Sequence, residues 1–394
     1  MADFTGKRAL IIGGGIGGLA AARALQLVGF DAVVCERAPE IREVGAGISL
    51  WPNAMTALRR LGLEQPVQAA GYAFHKGQSL DPRGQLLDEM DFTELFRRAG
   101  ASSVCIHRAE LQRILLESVD RARVHAGREC VSIASTARSV TARFADGQEE
   151  RADLLIGADG IHSVVRRDLF GETPTRYAGY VAWRGIVASD PPGLPAQTSQ
   201  VCLLPGGHAG ALRIGGGRVY WFAARNLRDP EPSGQPVKDE VRGFLASCCA
   251  PFQELAAATD ETALLRGAIL DRPASWPWGN GPVTLLGDAI HATTPNLGQG
   301  ACQALEDAVV LADALRRAES LEAGLRDYEA RRHERTAMVI RNSRSLGRFF
   351  QVDSRALCWL RDQFLRLRLG HSHTQKLFAK LFCVELPVLA SGGA

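Results

Sequence analysis

No run of about 18 apolar residues occurs in this 394-residue chain, so no segment is expected to cross a bilayer as a helix. An excess of charge of one sign is missing too. The 46 lysines and arginines nearly balance 43 aspartates and glutamates, leaving +3, which gives no overall case for a nucleic-acid partner. C-x-x-C spacing is absent. The nine cysteines (Cys35, Cys105, Cys130, Cys202, Cys248, Cys249, Cys302, Cys358, Cys383) are odd in number and scattered. That argues against a disulfide framework and for reduced thiols in a cytoplasmic protein, and no metal site is expected. The first ten residues carry Asp3, Lys7 and Arg8 before a strand pattern, which does not read as a signal peptide. Repeats and low-complexity tracts are lacking. At 46% hydrophobic and 23% charged, the chain is not disordered, fibrous or a coiled coil. Single cores stop growing near roughly 250–300 residues, so two domains are expected.

Glycine is abundant, with 41 residues, and its placement carries the information. An apolar run, Ala9 to Ile12, meets Gly13-Gly14-Gly15-Ile16-Gly17-Gly18 and then an Ala/Leu-rich helical pattern ending at Gly29. Asp31 to Cys35 is a second buried strand, closed by Glu36, so the chain opens on a βαβ unit. From about Tyr72 to Gly100 the pattern is polar and strand-like. His107 to Val119 is helical. Val140 to Phe144 with Asp146-Gly147 reads as a hairpin, and Asp153 to Ile156 as a buried strand. Tyr177 to Phe222 is rich in β-branched and aromatic residues and predicts an antiparallel sheet. Val283 to Leu286 is another strand, and from Gly300 onward the chain is largely helical.

Three segments carry chemistry. In Gly13-x-Gly15-x-x-Gly18 the first glycine permits the tight turn, the second lets a pyrophosphate approach, and the third allows close helix–strand packing. Glu36, 23 positions after Gly13, suits a ribose diol and repels a 2′-phosphate. The pattern alone does not separate FAD from NAD, and no second fingerprint exists, because Gly215-Gly216-Gly217 reads as a hairpin turn. The second segment is Gly157-Ala158-Asp159-Gly160, where Asp159 falls at the carboxyl edge of a strand. The third is Gly287-Asp288 through Gly300, a strand end followed by a Pro/Gly loop and a helix N-terminus suited to an anion.

These motifs, with Glu43-Val44-Gly45-Ala46-Gly47-Ile48, Pro52-Asn53-Ala54 and His107-Arg108-Ala109-Glu110-Leu111, make residues 5–340 resemble the single-component (class A) FAD-dependent aromatic monooxygenases. The resemblance implies an α/β fold: a Rossmann-like, GR2-type FAD-binding domain, an inserted antiparallel-sheet substrate domain and a helical C-terminus. The FAD domain would comprise 1–72, 101–176 and 274–340, the substrate domain 73–100 and 177–273, and the helical segment 341–394. It implies FAD contacts from Gly13, Gly15, Gly18, Glu36, Gly47, Ile48, Arg108, Asp159, Asp288, Pro295, Gly298, Gln299 and Gly300, with Asp159 also serving NADH or NADPH. The implied reaction inserts one atom of O2, by way of a flavin C4a-hydroperoxide, into a small aromatic or otherwise electron-rich substrate. A polyene epoxidase, or an oxidase or reductase without oxygen transfer, are the alternatives. No nucleophile–base triad is expected, and no G-x-S-x-G occurs.

By the same resemblance, Arg184, His208 and Tyr220 fall where the family lines its pocket. Period two puts Tyr180 with Arg184, and Tyr220 with Phe222, on common strand faces. His208 or Tyr220 would take or relay a substrate proton, and Arg184 would stabilise the anion. His291 reads equally as helix-entry packing, and His371-x-His373 as a solvated turn. Residues 341–380 carry nine basic residues against Asp353 and Asp362. The plainer reading is a helix over the flavin domain with arginines in water. The sharper one is weak peripheral contact with an anionic membrane.

Overall fold

The computed structural model describes residues 4–41, 46–188, 191, 193–232 and 234–389. Glu43, Val44 and Gly45 of the quoted glycine stretch lie outside them, as do residues 390–394 of the C-terminal segment. A five-stranded parallel sheet runs in the spatial order Val283–Leu285, Leu154–Gly157, Arg8–Ile12, Asp31–Glu36, Val124–Ala126. Its central strands are continuous apolar runs, fully buried at Ala9, Leu10, Ile11, Leu154, Leu155 and Ile156. Strands covered on both faces read this way. One cover is the helix Ile16–Leu27, which packs on the helix Gly300–Arg317. The helices approach closely because Gly17 lacks a side chain: a Cβ there would lie 3.2 Å from the Ala304 Cβ.

The second sheet has seven strands, ordered Leu265–Asp271, Arg176–Val187, Arg218–Asn226, Gly207–Ile214, Thr198–Leu204, Lys76–Leu80, Leu86–Asp91. All neighbours are antiparallel except Thr198–Leu204 with Lys76–Leu80. Alternation gives it two faces. Val181, Trp183, Cys202, Ala209, Val219 and Trp221 form a core with the helices Val237–Leu245 and Ala250–Ala258. Tyr180, Arg184, Ile186, Leu212, Tyr220 and Phe222 occupy the opposite face, which turns toward the first sheet's domain. Trp221 is fully buried and donates to Thr259 Oγ1 at 2.8 Å, so truncating it to alanine costs about 3–5 kcal/mol.

The stretch 72–100 is not strand throughout. Tyr72–Phe74 pairs with Ser103–His107 rather than with the large sheet, and Thr93–Ala99 is a helix. Phe92 and Phe96, one helical turn apart, pack with Trp51, Phe378 and Phe382. This aromatic cluster ties down the last helix, His371–Phe382. A 30-residue helix, Leu321–Phe350, joins the two sheets: Tyr328 OH donates to Leu285 O of the first, and Arg344 pairs with Asp271 at the edge of the second.

Candidate active site

The glycine turn is shaped by two close approaches and one opening. A Cβ on Gly13, whose φ is +110°, would lie 2.4 Å from the Ala158 carbonyl oxygen, and one on Gly18 would lie 1.9 Å from the Gly13 oxygen. Nothing lies within 4 Å of the Cβ position of Gly15, the residue that caps the first helix. Backbone N–H groups at that helix end therefore face open space, the arrangement an anionic pyrophosphate requires. Glu36 accepts from Gly14 N at 2.6 Å and Ala38 N at 2.9 Å. A carboxylate has about four acceptor positions, so capacity remains for a diol.

Asp159 and Asp288 stand at the carboxyl ends of neighbouring parallel strands. Asp159 Oδ2 accepts from Val164 N (2.8 Å) and Val165 N (3.2 Å), capping a short helix. Its Oδ1 is buried without a partner. Burial raises the Asp159 pKa against these hydrogen bonds. Asp288 is exposed to solvent, with the dense protein around its base raising its pKa against the pull of His291 and Arg108. Arg108 begins the helix Arg108–Glu117, and the His107 ring caps it by accepting from Ala109 N at 3.1 Å. Burial, with Arg218 nearby, lowers the His107 pKa and keeps that ring an acceptor.

The loop after Asp288 is held from below. Gly298 has φ +62°, and a Cβ there would lie 2.8 Å from Trp51 Nε1, which is itself buried and unpartnered. Pro295 is exposed, and Gly300 opens the helix Gly300–Arg317. Gln299 is fully buried and accepts from Asn53 Nδ2 at 2.9 Å. Asn53 also donates to Glu306 (2.6 Å), and Glu306 accepts from Arg332 (2.5 Å) and Arg335 (2.6 Å). Arg332 reaches Asp307 at 2.6 Å, and Asp307 contacts His291 Nε2 at 2.5 Å. Burial works to raise Glu306 and Asp307, but Arg332, with Arg335 at Glu306 and His291 at Asp307, holds both carboxyls below the usual range. His291 thus belongs to this support rather than to the cleft.

Tyr220 and Arg184 meet on the second sheet's inner face. A Cβ on Gly47 would lie 2.3 Å from the Tyr220 ring, so the ring lies directly on Gly47 and joins the two domains. Ile48 follows on the same strand, Gly47–Leu50, and pairs with Ile106. Burial pushes the Tyr220 phenol up to about 12, opposed by its hydrogen bond to Arg184 and by Arg108. His208 is not beside them: Phe222 intervenes, 6.0 Å from Tyr220 and 5.7 Å from His208. The buried His208 ring also meets Phe350 at 5.4 Å, and its Nδ1 is unpartnered. Burial, aided by Arg361, lowers its pKa to about 4. Tyr180 OH accepts from Asn296 Nδ2 at 2.9 Å, tying the sheet to the loop. His371 and His373 open the last helix instead of sitting in a turn.

The Asn53–Glu306–Arg332 network and the Asn296–Tyr180 link escape a sequence reading. Asn53 lies in the quoted Pro52-Asn53-Ala54, but nothing in an arginine-rich helix marks Arg332 as the buried one.

The pattern of the FAD binding domain family matches residues 7–343. The chain belongs to the FAD-dependent aromatic monooxygenases. It is 38% identical over 363 residues to the aurachin C monooxygenase/isomerase of Stigmatella aurantiaca, covering 92% of this chain and 94% of that one. It is 34% identical over 388 residues to the 3-amino-4-hydroxybenzoate 2-monooxygenase of Streptomyces cremeus, covering 95% of each. Among solved structures, Klebsiella pneumoniae HpxO complexed with FAD and uric acid superposes with TM-score 0.87 at 33% identity, covering 98% of this chain and 97% of that one. This monooxygenase accordingly has the family's Rossmann-like fold and uses FAD.

Proposed function

We propose that this monooxygenase holds FAD along the line from Gly13, Gly15, Gly18 and Glu36 through Gly47, Ile48, Arg108, Asp159 and Asp288 to Pro295, Gly298, Gln299 and Gly300, and oxygenates a small aromatic substrate against the second sheet. The observation that carries this is the pairing of an open Gly15 face with a buried, unpartnered Asp159 oxygen on the next strand of the same sheet. FAD supplies the oxygen-activating chemistry once a nicotinamide has reduced it. The chain orients the substrate and keeps water out. With a pKa near 12, Tyr220 stays a phenol at assay pH and donates to a substrate oxygen. Arg184 orients Tyr220 and stabilises a phenolate-like substrate. His208 stays neutral and accepts a substrate O–H or N–H beside Phe222.

NADH or NADPH would approach on the Asp159 side. There a cavity of about 340 Å³ is lined by His162, Arg166 and Arg272. Arg166 bonds Thr173 and Ser275, and Arg272 bonds Ile161 and Thr173, with Glu172 also on the wall. Such cationic groups suit a pyrophosphate. The test is product mass. Protein loaded with FAD is given NADH or NADPH, O2 and a panel of phenols, hydroxyquinolines and polyenes. One product gaining a single oxygen atom with matched nicotinamide use is expected. Hydrogen peroxide alone across the panel would favour the oxidase.

The helix Arg355–Arg366 and its flank add a membrane reading. Leu357, Trp359, Leu360, Leu367 and Leu369 are all more than half exposed, next to exposed Arg355 and Lys376. Arg361 is buried against Phe350 O, and Arg366 and Arg368 face Asp81 and Asp88, so apolar area outweighs charge in driving contact. Trp359→Ala should weaken sedimentation with anionic liposomes. Equal sedimentation of both proteins, or none, would refute this.

A further inference from the structure

The expectation of scattered, reduced thiols and no metal site rests on cysteine spacing, and the fold changes their neighbourhood. Cys202, Cys248 and Cys249 come from separate parts of the substrate sheet's outer layer. Cys202 lies on the strand Thr198–Leu204, facing the helical layer. Cys248 and Cys249 form the turn between the helices Val237–Leu245 and Ala250–Ala258, and Cys249 caps the second. Their three sulfur atoms lie within 4.8 Å of one another. The hairpin turn at Asp81–Gly84 closes one side. Cys202 Sγ donates to Asp81 O at 3.4 Å, and a Cβ on Gly84 would lie 3.2 Å from the Cys249 Cβ. Cys202 and Cys248 are buried, whereas Cys249 is partly exposed, so solvent reaches the cluster at Cys249.

Buried free cysteines usually act as small hydrophobes, each packed among carbon atoms. Three thiols converging on one point is a different arrangement. Three sulfur atoms this close can share one ion, leaving a fourth ligand position to water, and thiolates select soft closed-shell ions over magnesium or calcium. We propose that Cys202, Cys248 and Cys249 form a three-sulfur binding site for one thiophilic d10 ion of the Zn2+ type, completed by a water molecule. Binding releases the thiol protons to solvent and changes no oxidation state. The cluster lies on the face of the sheet opposite Tyr220 and Arg184, so its role is to pin the strand, hairpin and helical turn together.

The experiment uses the reduced, FAD-loaded full chain. Zn2+ is added, unbound metal is removed by gel filtration, and retained metal is counted. One zinc per chain is expected, together with a higher melting temperature. Cys249→Ser, at the partly exposed position, should lose the retained zinc while keeping its flavin. Cys383→Ser, which alters the exposed cysteine elsewhere, should retain one zinc. Cd2+ in place of Zn2+ should give the thiolate-to-metal charge-transfer band in wild type and not in Cys249→Ser. No retained zinc in the reduced wild type, or equal zinc in wild type and Cys249→Ser, would overturn the proposal. So would a wild-type protein that binds zinc only through Cys383.

Discussion

Asp159 and Asp288 differ from Glu306 and Asp307 in what the protein has placed around them. All four belong to one domain, and the surrounding protein pushes all four carboxyls upward, although Asp288 itself reaches solvent. Beneath the loop, Arg332 and Arg335 at Glu306, and His291 and Arg332 at Asp307, more than offset that push. At Asp159 and Asp288 the push prevails, and one Asp159 oxygen is left with no donor. A buried acceptor without a partner is costly in the free protein. Glu306 and Asp307 are complete without a ligand, whereas Asp159 is not. The contrast distinguishes groups that build a site from groups that wait for its occupant.

Removing the compensation should have the largest effect. Arg332→Ala removes the guanidinium shared by two buried carboxylates, leaving Arg335 at Glu306 and His291 at Asp307, and is expected to cost about 3 kcal/mol, read as a fall in melting temperature of the apo protein. A loss below about 1 kcal/mol would erase the contrast. Next comes ligand affinity. Asp288→Asn should weaken FAD binding by about tenfold or more, the loss of one charge-assisted hydrogen bond, with little change in apo stability. Acid then separates the pairs by sign. Glu306 and Asp307 have folded pKa values below their unfolded ones, so they add stability above about pH 4, lost as pH falls through the folded values. Asp159 and Asp288 are shifted upward, so their ionisation detracts from stability as pH rises past the unfolded value. Arg332→Ala should therefore flatten the acid limb of a stability curve, and Asp159→Asn should not. The smallest expected effect is on the rate profile. His208 near 4 and Tyr220 near 12 leave kcat/KM free of any ionisation of theirs between about pH 6 and pH 10. A limb in that window that vanishes in Tyr220→Phe would contradict the donor role of Tyr220.

Legibility in the sequence follows the same division. Gly13 and Gly18 can be read directly, because a turn with φ +110° and a Cβ position 1.9 Å from an oxygen admit only glycine. Strand ends mark Glu36, Asp159 and Asp288, because the apolar runs before them stop there. Period two places Tyr220 and Arg184 on the sheet's inner face, but the contact of Tyr220 with Gly47 links positions 173 apart and has no local signature. Local pattern also misreads 92–99: Phe92 and Phe96 sit in a polar stretch, and their helix forms because Trp51 and Phe382 cover them. Arg332 and the three clustered cysteines are invisible for a related reason. Their partners are set by how distant elements pack, the long helix for Arg332 and the helical layer on the second sheet for the cysteines, and spacing along the chain carries no trace of that.

On the proposed reading, Asp159 is held in reserve for the cofactor rather than for the fold. The direct measurement compares Asp159→Asn with wild type in two quantities, the unfolding free energy of the apo protein and the Kd for FAD. Apo stability at pH 7 equal to or above wild type, with FAD binding weakened tenfold or more, is the predicted result. An apo protein clearly destabilised, with FAD affinity unchanged, would contradict it.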